Sequence, residues 1–323
     1  MSETSNKNAT RTALAIALNP TIDVSSEVAR VEPTRKMRTY NERHQPGGGG
    51  VNVARVIVEL GGRPELLILA GGATGAMLQD TLATLPIGLH VVPIAGSTRI
   101  AFMVHEEQTG LEYRFVPEGP EVSQENIAIA LQAVERFRGD FVIASGSLPR
   151  GAPEDTYVRL AEAAAANGAK FLLDCPGPTL RKTLGRKVSG QAPIFLVKPS
   201  IGELETLVGR RLDEGGVGEA AAALVKDAAA DYVAVTMGRE GALLAGPNGV
   251  LRVPSKHVVV RSAVGAGDSF VGAMTWFLMQ GKPMEEAFRF GVAAGAAAAM
   301  TPGTELCRRD DVFAIYEAGG GRS

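Results

Sequence analysis

The sequence predicts an α/β fold: a doubly wound, mostly parallel sheet flanked by helices, with a small β-sheet lid projecting from it. Three observations carry that expectation. Apolar runs of strand length alternate with Ala-rich or amphipathic stretches at helical spacing. The runs are apolar throughout, as a parallel sheet covered on both faces requires. Two segments, 24–43 and 100–115, break this rhythm with the in-and-out alternation of exposed strands.

In chain order, strands are expected at 13–18, 66–69, 91–94, 141–144, 171–173, 194–197 and 232–235, and helices at 51–60, 75–82, 125–137, 155–167 and 218–226. In the second projecting segment, Ala101-Phe102-Met103-Val104-His105-Glu106 alternates up to a turn at Thr109-Gly110, and Leu111-Glu112-Tyr113-Arg114-Phe115 returns as a hairpin. The last third is helical, at 264–279, 284–300 and 310–318, with Gly281-Lys282-Pro283 as a stop between the first two. No Pro/Ser linker and no internal repeat interrupts the chain. Residues 13–318 therefore read as one domain with lid segments at 24–43 and 100–115, and 1–12 and 319–323 read as flexible tails.

Composition narrows the partners. The 323 residues carry 33 Lys plus Arg against 35 Asp plus Glu, with no basic block, which argues against nucleic acid and for a small metabolite. Cys175 and Cys307 are too few and too far apart for a disulfide framework or a zinc knuckle, so they read as reduced thiols of a cytoplasmic protein. Met1 to Thr12 are polar and lack the apolar core of a signal peptide, and no later apolar run reaches the roughly 18 residues of a membrane span. His44, His90, His105 and His257 form no ligand pair and read as structural.

Two glycine-rich runs open helices. In Ser262-Ala263-Val264-Gly265-Ala266-Gly267-Asp268-Ser269-Phe270 the small residues let consecutive amides converge where a helix starts, which attracts an anion. Asp268 in the first turn suits the helix dipole and is placed to take a proton from a bound hydroxyl. The plainer alternative is an Asp cap behind a glycine loop. In Pro46-Gly47-Gly48-Gly49-Gly50-Val51-Asn52-Val53-Ala54-Arg55 four bare glycines allow a ligand to lie on the backbone, and Asn52 can bond sugar hydroxyls; a flexible loop is the alternative.

Taken together, 47–55 and 263–273 resemble the paired motifs of the phosphofructokinase B group within the ribokinase-like sugar kinases. The likeness extends from Leu18-Asn19-Pro20 to Thr301-Pro302-Gly303-Thr304 and includes Ala70-Gly71-Gly72-Ala73-Thr74-Gly75, Ser145-Gly146-Ser147-Leu148-Pro149 and Val197-Lys198-Pro199. Gly47-Gly48-Gly49-Gly50-Val51-Asn52 is similar to the minor bacterial 6-phosphofructokinase subtype, whereas one-phosphofructokinases tend to carry a Lys among these glycines.

The resemblance implies a ribokinase-like fold and ATP- and Mg²⁺-dependent phosphorylation of fructose 6-phosphate at its C1 hydroxyl. Tagatose-6-phosphate kinase, 1-phosphofructokinase and a non-catalytic sugar-phosphate sensor are the alternatives. It implies Asp268 as the base and the amides of Gly265, Ala266 and Gly267 as the anion hole. Asp23, Gly48, Gly49, Asn52 and Ser147 would bind the sugar, and Lys36, Arg99 and Arg114 its phosphate. Lys198, Ser200, Glu203, Thr236, Gly238, Gly241 and Ala298 would line the nucleotide site, with Met300 beside adenine and Glu203 holding Mg²⁺ through water. Ser200 departs from the family's usual Asn three residues before that acid. Since a lid with one apolar face cannot stay exposed, the expectation is a homodimer joined through the lids.

Overall fold

A computed structural model describes residues 11–185 and 194–321; residues 1–10 and 322–323 of the expected tails lie outside the described residues. The chain opens with β1 (Ala13–Ala17), leaves the main sheet for β2 (Thr21–Val28) and β3 (Tyr40–Gly47), and returns through α1 (Gly49–Glu59) to β4 (Glu65–Ala70). After α2 (Gly72–Leu82) and β5 (Gly88–Pro93) it leaves again for β6 (Arg99–Glu106) and β7 (Glu112–Phe115). There follow α3 (Gln124–Arg136), β8 (Phe141–Ser145), α4 (Thr156–Ala166), β9 (Lys170–Asp174), α5 (Gly177–Leu184), β10 (Leu196–Val197), α6 (Ile201–Val208), α7 (Glu214–Lys226) and β11 (Tyr232–Thr236). A hairpin of β12 (Ala242–Gly246) and β13 (Gly249–Val253) precedes three helices, α8 (Ala266–Met279), α9 (Met284–Ala299) and α10 (Arg309–Ala318).

Among the described residues the main sheet has nine strands in the order β13-β12-β11-β10-β9-β8-β1-β4-β5, parallel except for β12 and β13. β1 lies between β4 and β8 and is buried along its whole length. Its side chains alternate between two cores: Ala13, Ala15 and Ala17 pack with α1, α8 and α9, while Leu14 and Ile16 pack with α3 and α4. A strand read by two cores has no polar face, which is why its sequence shows no alternation. Each Leu or Ile so buried contributes about 1.5–3 kcal/mol.

Some elements differ from expectation. The 242–253 hairpin was not anticipated, although Asn248-Gly249 is a strong hairpin signal. The short helices α5 and α6 also escaped, and β10 is two residues long rather than four. Arg11 and Thr12, expected in a loose tail, are tied down: Arg11 Nη1 donates to the Leu278 carbonyl at 3.0 Å and the Thr12 amide to Asp140 at 2.9 Å. Gly319 to Gly321 close α10, with the Gly321 amide bonding the Tyr316 carbonyl at 3.1 Å.

The second sheet, β3-β2-β6-β7, leaves the carboxyl-terminal side of the main sheet after β1 and β5. Its pairing sorts side chains by face. Asp23, Gln45 and Ala101 share the inner face with Ser25, Met103 and Arg114, whereas Val24, Phe102 and Phe115 share the outer one. Phe102 and Phe115 sit directly opposite each other there, 48% and 62% exposed. Among the described residues no helix is long and apolar enough to cross a membrane.

Candidate active site

The two glycine runs meet at the carboxyl ends of the parallel strands, where open α/β sheets place ligands. α1 and α8 start side by side, and two depressions adjoin at the turn before α8. The smaller, about 180 Å³, is lined by Asp23, Gly48, Gly49, Asn52, Arg99, Arg114, Gly265 and Asp268, with Thr304 at its edge. The larger, about 1180 Å³, is lined by Lys198, Ser200, Glu203, Thr236, Gly238, Gly241, Ala266 and Gly267, with Arg114 reaching both.

Asp268 is not a cap. Gly265 takes the N-cap position with φ +74°, in the left-handed region that favours glycine, and a Cβ there would approach Leu306 Cδ2 to 2.8 Å. No side chain caps the helix, so the first amides of α8 stay open to the cleft. Asp268 is the third helical residue, and its Oδ2 accepts a 2.8 Å hydrogen bond from Asn52 Nδ2 on α1. Burial pushes its carboxyl up to about 6, assisted by the nearby Asp174 carboxylate and opposed by the Asn52 bond and by Lys198.

Gly47, Gly49 and Gly50 have no room for a Cβ, because the Asp23 side chain, Ser145 and the Ile16 carbonyl lie against them. A Cβ on Gly49 would lie 2.2 Å from Ser145 Oγ, at the end of β8. Asp23 faces this floor from β2; burial raises its carboxyl, while Arg55, Arg114 and Arg99 pull the other way. Arg99 does not present a free fork. Its Nη1 and Nη2 donate to the carbonyls of Pro117 (2.8 Å) and Asn19 (2.7 Å), and its buried Nε has no partner.

In the larger depression, Ser200 and Glu203 cap α6 reciprocally. The Ser200 amide donates to Glu203 Oε2 at 2.8 Å and the Glu203 amide to Ser200 Oγ at 3.3 Å. A serine thus fills the cap position where the family usually has Asn, and orients the acid. Lys198 pairs with Asp174 at 3.1 Å, their side chains 6% and 14% exposed. Adjacent parallel strands make this pair, since Leu173 and Val197 are in register just before them. Burial alone would lower the Lys198 ammonium, but attraction to Asp174, Glu203 and Asp268 together with the bond to Asp174 raises it, while burial dominates at Asp174 and raises its carboxyl.

Four expected residues, Lys36, Ser147, Ala298 and Met300, are not brought to the lining of the cleft. Lys36 lies exposed in the connection at the far end of the small sheet, where Val31 is tethered to Glu106 at 2.9 Å. Ser147 lies outside both linings and accepts a 3.2 Å bond from Asn19 Nδ2. Ala298 is fully buried in the core. On α9 the residues that share the cleft face are Val292, Gly295, Ala296 and Ala299, and Ala298 is one step of about 100° away from that face, as Met300 is from the lining. Conversely, Asp174 was missed. Its signal was its position, an acid ending an apolar strand run at the ligand side of the sheet.

A family model described as pfkB family carbohydrate kinase matches residues 13–311. The ATP-dependent 6-phosphofructokinase isozyme 2 of Mycobacterium tuberculosis is 39% identical over 310 residues, 94% of this chain and 88% of that protein. The protein of the same name from Escherichia coli is 37% identical over 303 residues, 93% of this chain and 96% of that one. The crystal structure of phosphofructokinase-2 from Escherichia coli in complex with substrates and products superposes with a TM-score of 0.89 at 36% identity, covering 96% of this chain and 99% of that chain. The helix-flanked sheet with its smaller companion is the ribokinase-like fold. By the extent of that family match and of both sequence relationships, the chain belongs to the pfkB family of carbohydrate kinases.

Proposed function

We propose that this protein is an ATP-dependent 6-phosphofructokinase, which transfers the γ-phosphoryl group of ATP to the C1 hydroxyl of fructose 6-phosphate and yields fructose 1,6-bisphosphate. One observation carries this reading: the turn at Gly265 to Asp268 lies where the two depressions meet, giving a carboxylate to the smaller and open amides to the larger. The names of the relatives support the substrate, and so does the absence of a Lys from Gly47 to Gly50.

In this reading Asp268, held by Asn52, accepts the proton of the C1 hydroxyl as that oxygen attacks phosphorus. A carboxyl near 6 is ionised at neutral pH yet more basic than an ordinary aspartate, as a general base should be. The amides of Gly265, Ala266 and Gly267 face the charge on the transferring group, and being fixed by the helix they need no reorganisation. Asp23, Gly48, Gly49 and Asn52 hold the sugar hydroxyls. Arg99 contributes charge and its Nε, and Arg114 its guanidinium, to the 6-phosphate. Lys198, Ser200, Thr236, Gly238 and Gly241 flank the nucleotide. Glu203, whose carboxylate lines the larger depression, would hold Mg²⁺ through water, as suits a hard cation that takes one or two such oxygens and keeps several waters. When bound, that ion neutralises charge on the ATP phosphates.

The apolar outer face with Phe102 and Phe115 supports a homodimer built through the small sheets, which serve as lids. Substrates of this kind and two free, buried thiols suit the cytoplasm and sugar breakdown. A sensor that had abandoned catalysis would be expected to lose the base or the anion hole, and this chain retains Gly265-Ala266-Gly267-Asp268.

The test is a coupled assay across fructose 6-phosphate, fructose 1-phosphate and tagatose 6-phosphate. Fructose 6-phosphate should give the highest kcat/KM. A preference above about tenfold, or 1.4 kcal/mol, for either other sugar would reject the substrate and leave the kinase standing.

A further inference from the structure

The mechanism leaves one charged side chain beside the base unused. Arg55 lies on α1 three residues after Asn52, so helix geometry puts both on one face. It is half-buried and lines neither depression. Its Nη1 donates to Pro46 O at 2.7 Å, at the head of the glycine run, and to Asn52 Oδ1 at 3.2 Å. Asn52 is 7% exposed, and its Nδ2 donates to Asp268 Oδ2 at 2.8 Å.

An asparagine amide has two ends of nearly equal shape, and only its surroundings choose between them. Turned over, Asn52 would set its oxygen against the Asp268 carboxylate and its NH₂ against a guanidinium. A guanidinium only donates, so Arg55 can accept nothing from that NH₂. The turned amide would lose both bonds and bring like ends together. Arg55 thereby selects the one orientation in which Asp268 receives a hydrogen bond.

We propose that Arg55 is a positioning residue for phosphoryl transfer: by holding Pro46 O and Asn52 Oδ1 together it locks the Asn52 amide that aims and charges Asp268. The role rests on the kinase reading above and adds to it a residue outside the substrate contacts. The charges facing Asp268 are Asp174 and Asp23, both of which disfavour its ionisation, and Lys198, which favours it. Arg55 is attracted first to Asp23 and then to Asp268, so its charge offsets part of the repulsion between those two carboxylates. The guanidinium keeps its charge across the working pH range, so the effect it exerts is constant until the residue is replaced.

The experiment measures kcat, KM and the pH profile of kcat/KM for wild type, Arg55→Gln and Arg55→Lys. Arg55→Gln should lower kcat by about tenfold or more, leave both KM values within about threefold, and move the acid limb up by about half a pH unit or more. Arg55→Lys keeps the charge, but its ammonium ends one bond short of the position from which Nη1 reaches both Pro46 O and Asn52 Oδ1. Its acid limb should stay where the wild type has it, while kcat falls by about threefold or more because Pro46 O and Asn52 Oδ1 are no longer held together. An unmoved acid limb in a folded Arg55→Gln, or a loss confined to KM or to thermal stability, would overturn the role. If Arg55→Gln does not fold, wild-type kcat in Arg55→Lys would overturn it equally. Wild type inactive on every sugar phosphate would reject the kinase reading together with this role, whereas an active wild type with indifferent variants rejects the role alone.

Discussion

Replacing Asp268 with asparagine should make the protein more stable while removing its activity. The asparagine keeps the shape and the partner in Asn52 but withdraws a charge that burial and Asp174 disfavour. A carboxyl moved from its ordinary 3.8 up to about 6 binds its proton more tightly in the folded state, so ionisation withdraws stability as pH rises through that window. About two units at 1.36 kcal/mol each amount to about 3 kcal/mol at pH 8, and to about half of that at pH 5, where the folded carboxyl is already mostly protonated. Because Asp268 lines a cleft that water enters, about 1–3 kcal/mol is the range to look for, or several degrees in the unfolding midpoint. Thermal melts at pH 8 and pH 5 test this directly: the variant should melt higher at pH 8, and its advantage should shrink at pH 5. In the assay its turnover should drop by about 10² to 10⁴, and wild-type kcat/KM should fall off below about pH 6. No gain at pH 8, or a gain that does not shrink with acid, would refute the claim that the fold holds this carboxylate against its preference. Turnover near wild type would refute its part as base.

Other perturbations follow from the same geometry. Lys198→Met leaves Asp174 buried without its 3.1 Å partner and should destabilise by about 3–5 kcal/mol, read by urea denaturation, with most of the loss recovered in Lys198→Met/Asp174→Leu. Gly49→Ala puts a methyl 2.2 Å from Ser145 Oγ and should raise the KM for sugar phosphate at least about tenfold, while the KM for ATP changes little. Phe102→Lys with Phe115→Lys should yield a monomer by light scattering, since two opposed aromatics on the outer face would become two opposed charges. A wild-type monomer with full activity would dispose of the lid dimer.

The strands of the parallel sheet were legible because two-sided burial leaves an unbroken apolar run, as in Ala13–Ala17. The hairpin of β12 and β13 was not, because its first strand is as apolar as a core strand and its second is largely exposed, so neither shows clean alternation. Within the site, Asp268, Asn52 and the two glycine runs could be named because glycine and a helix start impose a local chemistry that a sequence displays. Ala298 could not be separated from Ala296 and Ala299, since in a run of alanines only the angular phase of α9 against the cleft says which of them faces it.

From residue order alone follow the layered α/β architecture, the place of each glycine run at a helix start, and the acid within the first turn of α8, for these depend on neighbours within one helical turn or one strand. Long-range contacts had to supply the rest. Asn52 and Asp268 are 216 residues apart, and their bond, the Asp174–Lys198 pair and the Arg55 lock exist because parallel strands and paired helices bring distant residues into register. The same contacts withdrew Lys36, Ser147 and Ala298 from the cleft and showed that Arg99 spends both its terminal nitrogens on backbone carbonyls. Burial, which sets the proton affinity of Asp268, belongs to the assembled core and has no local signature in the chain.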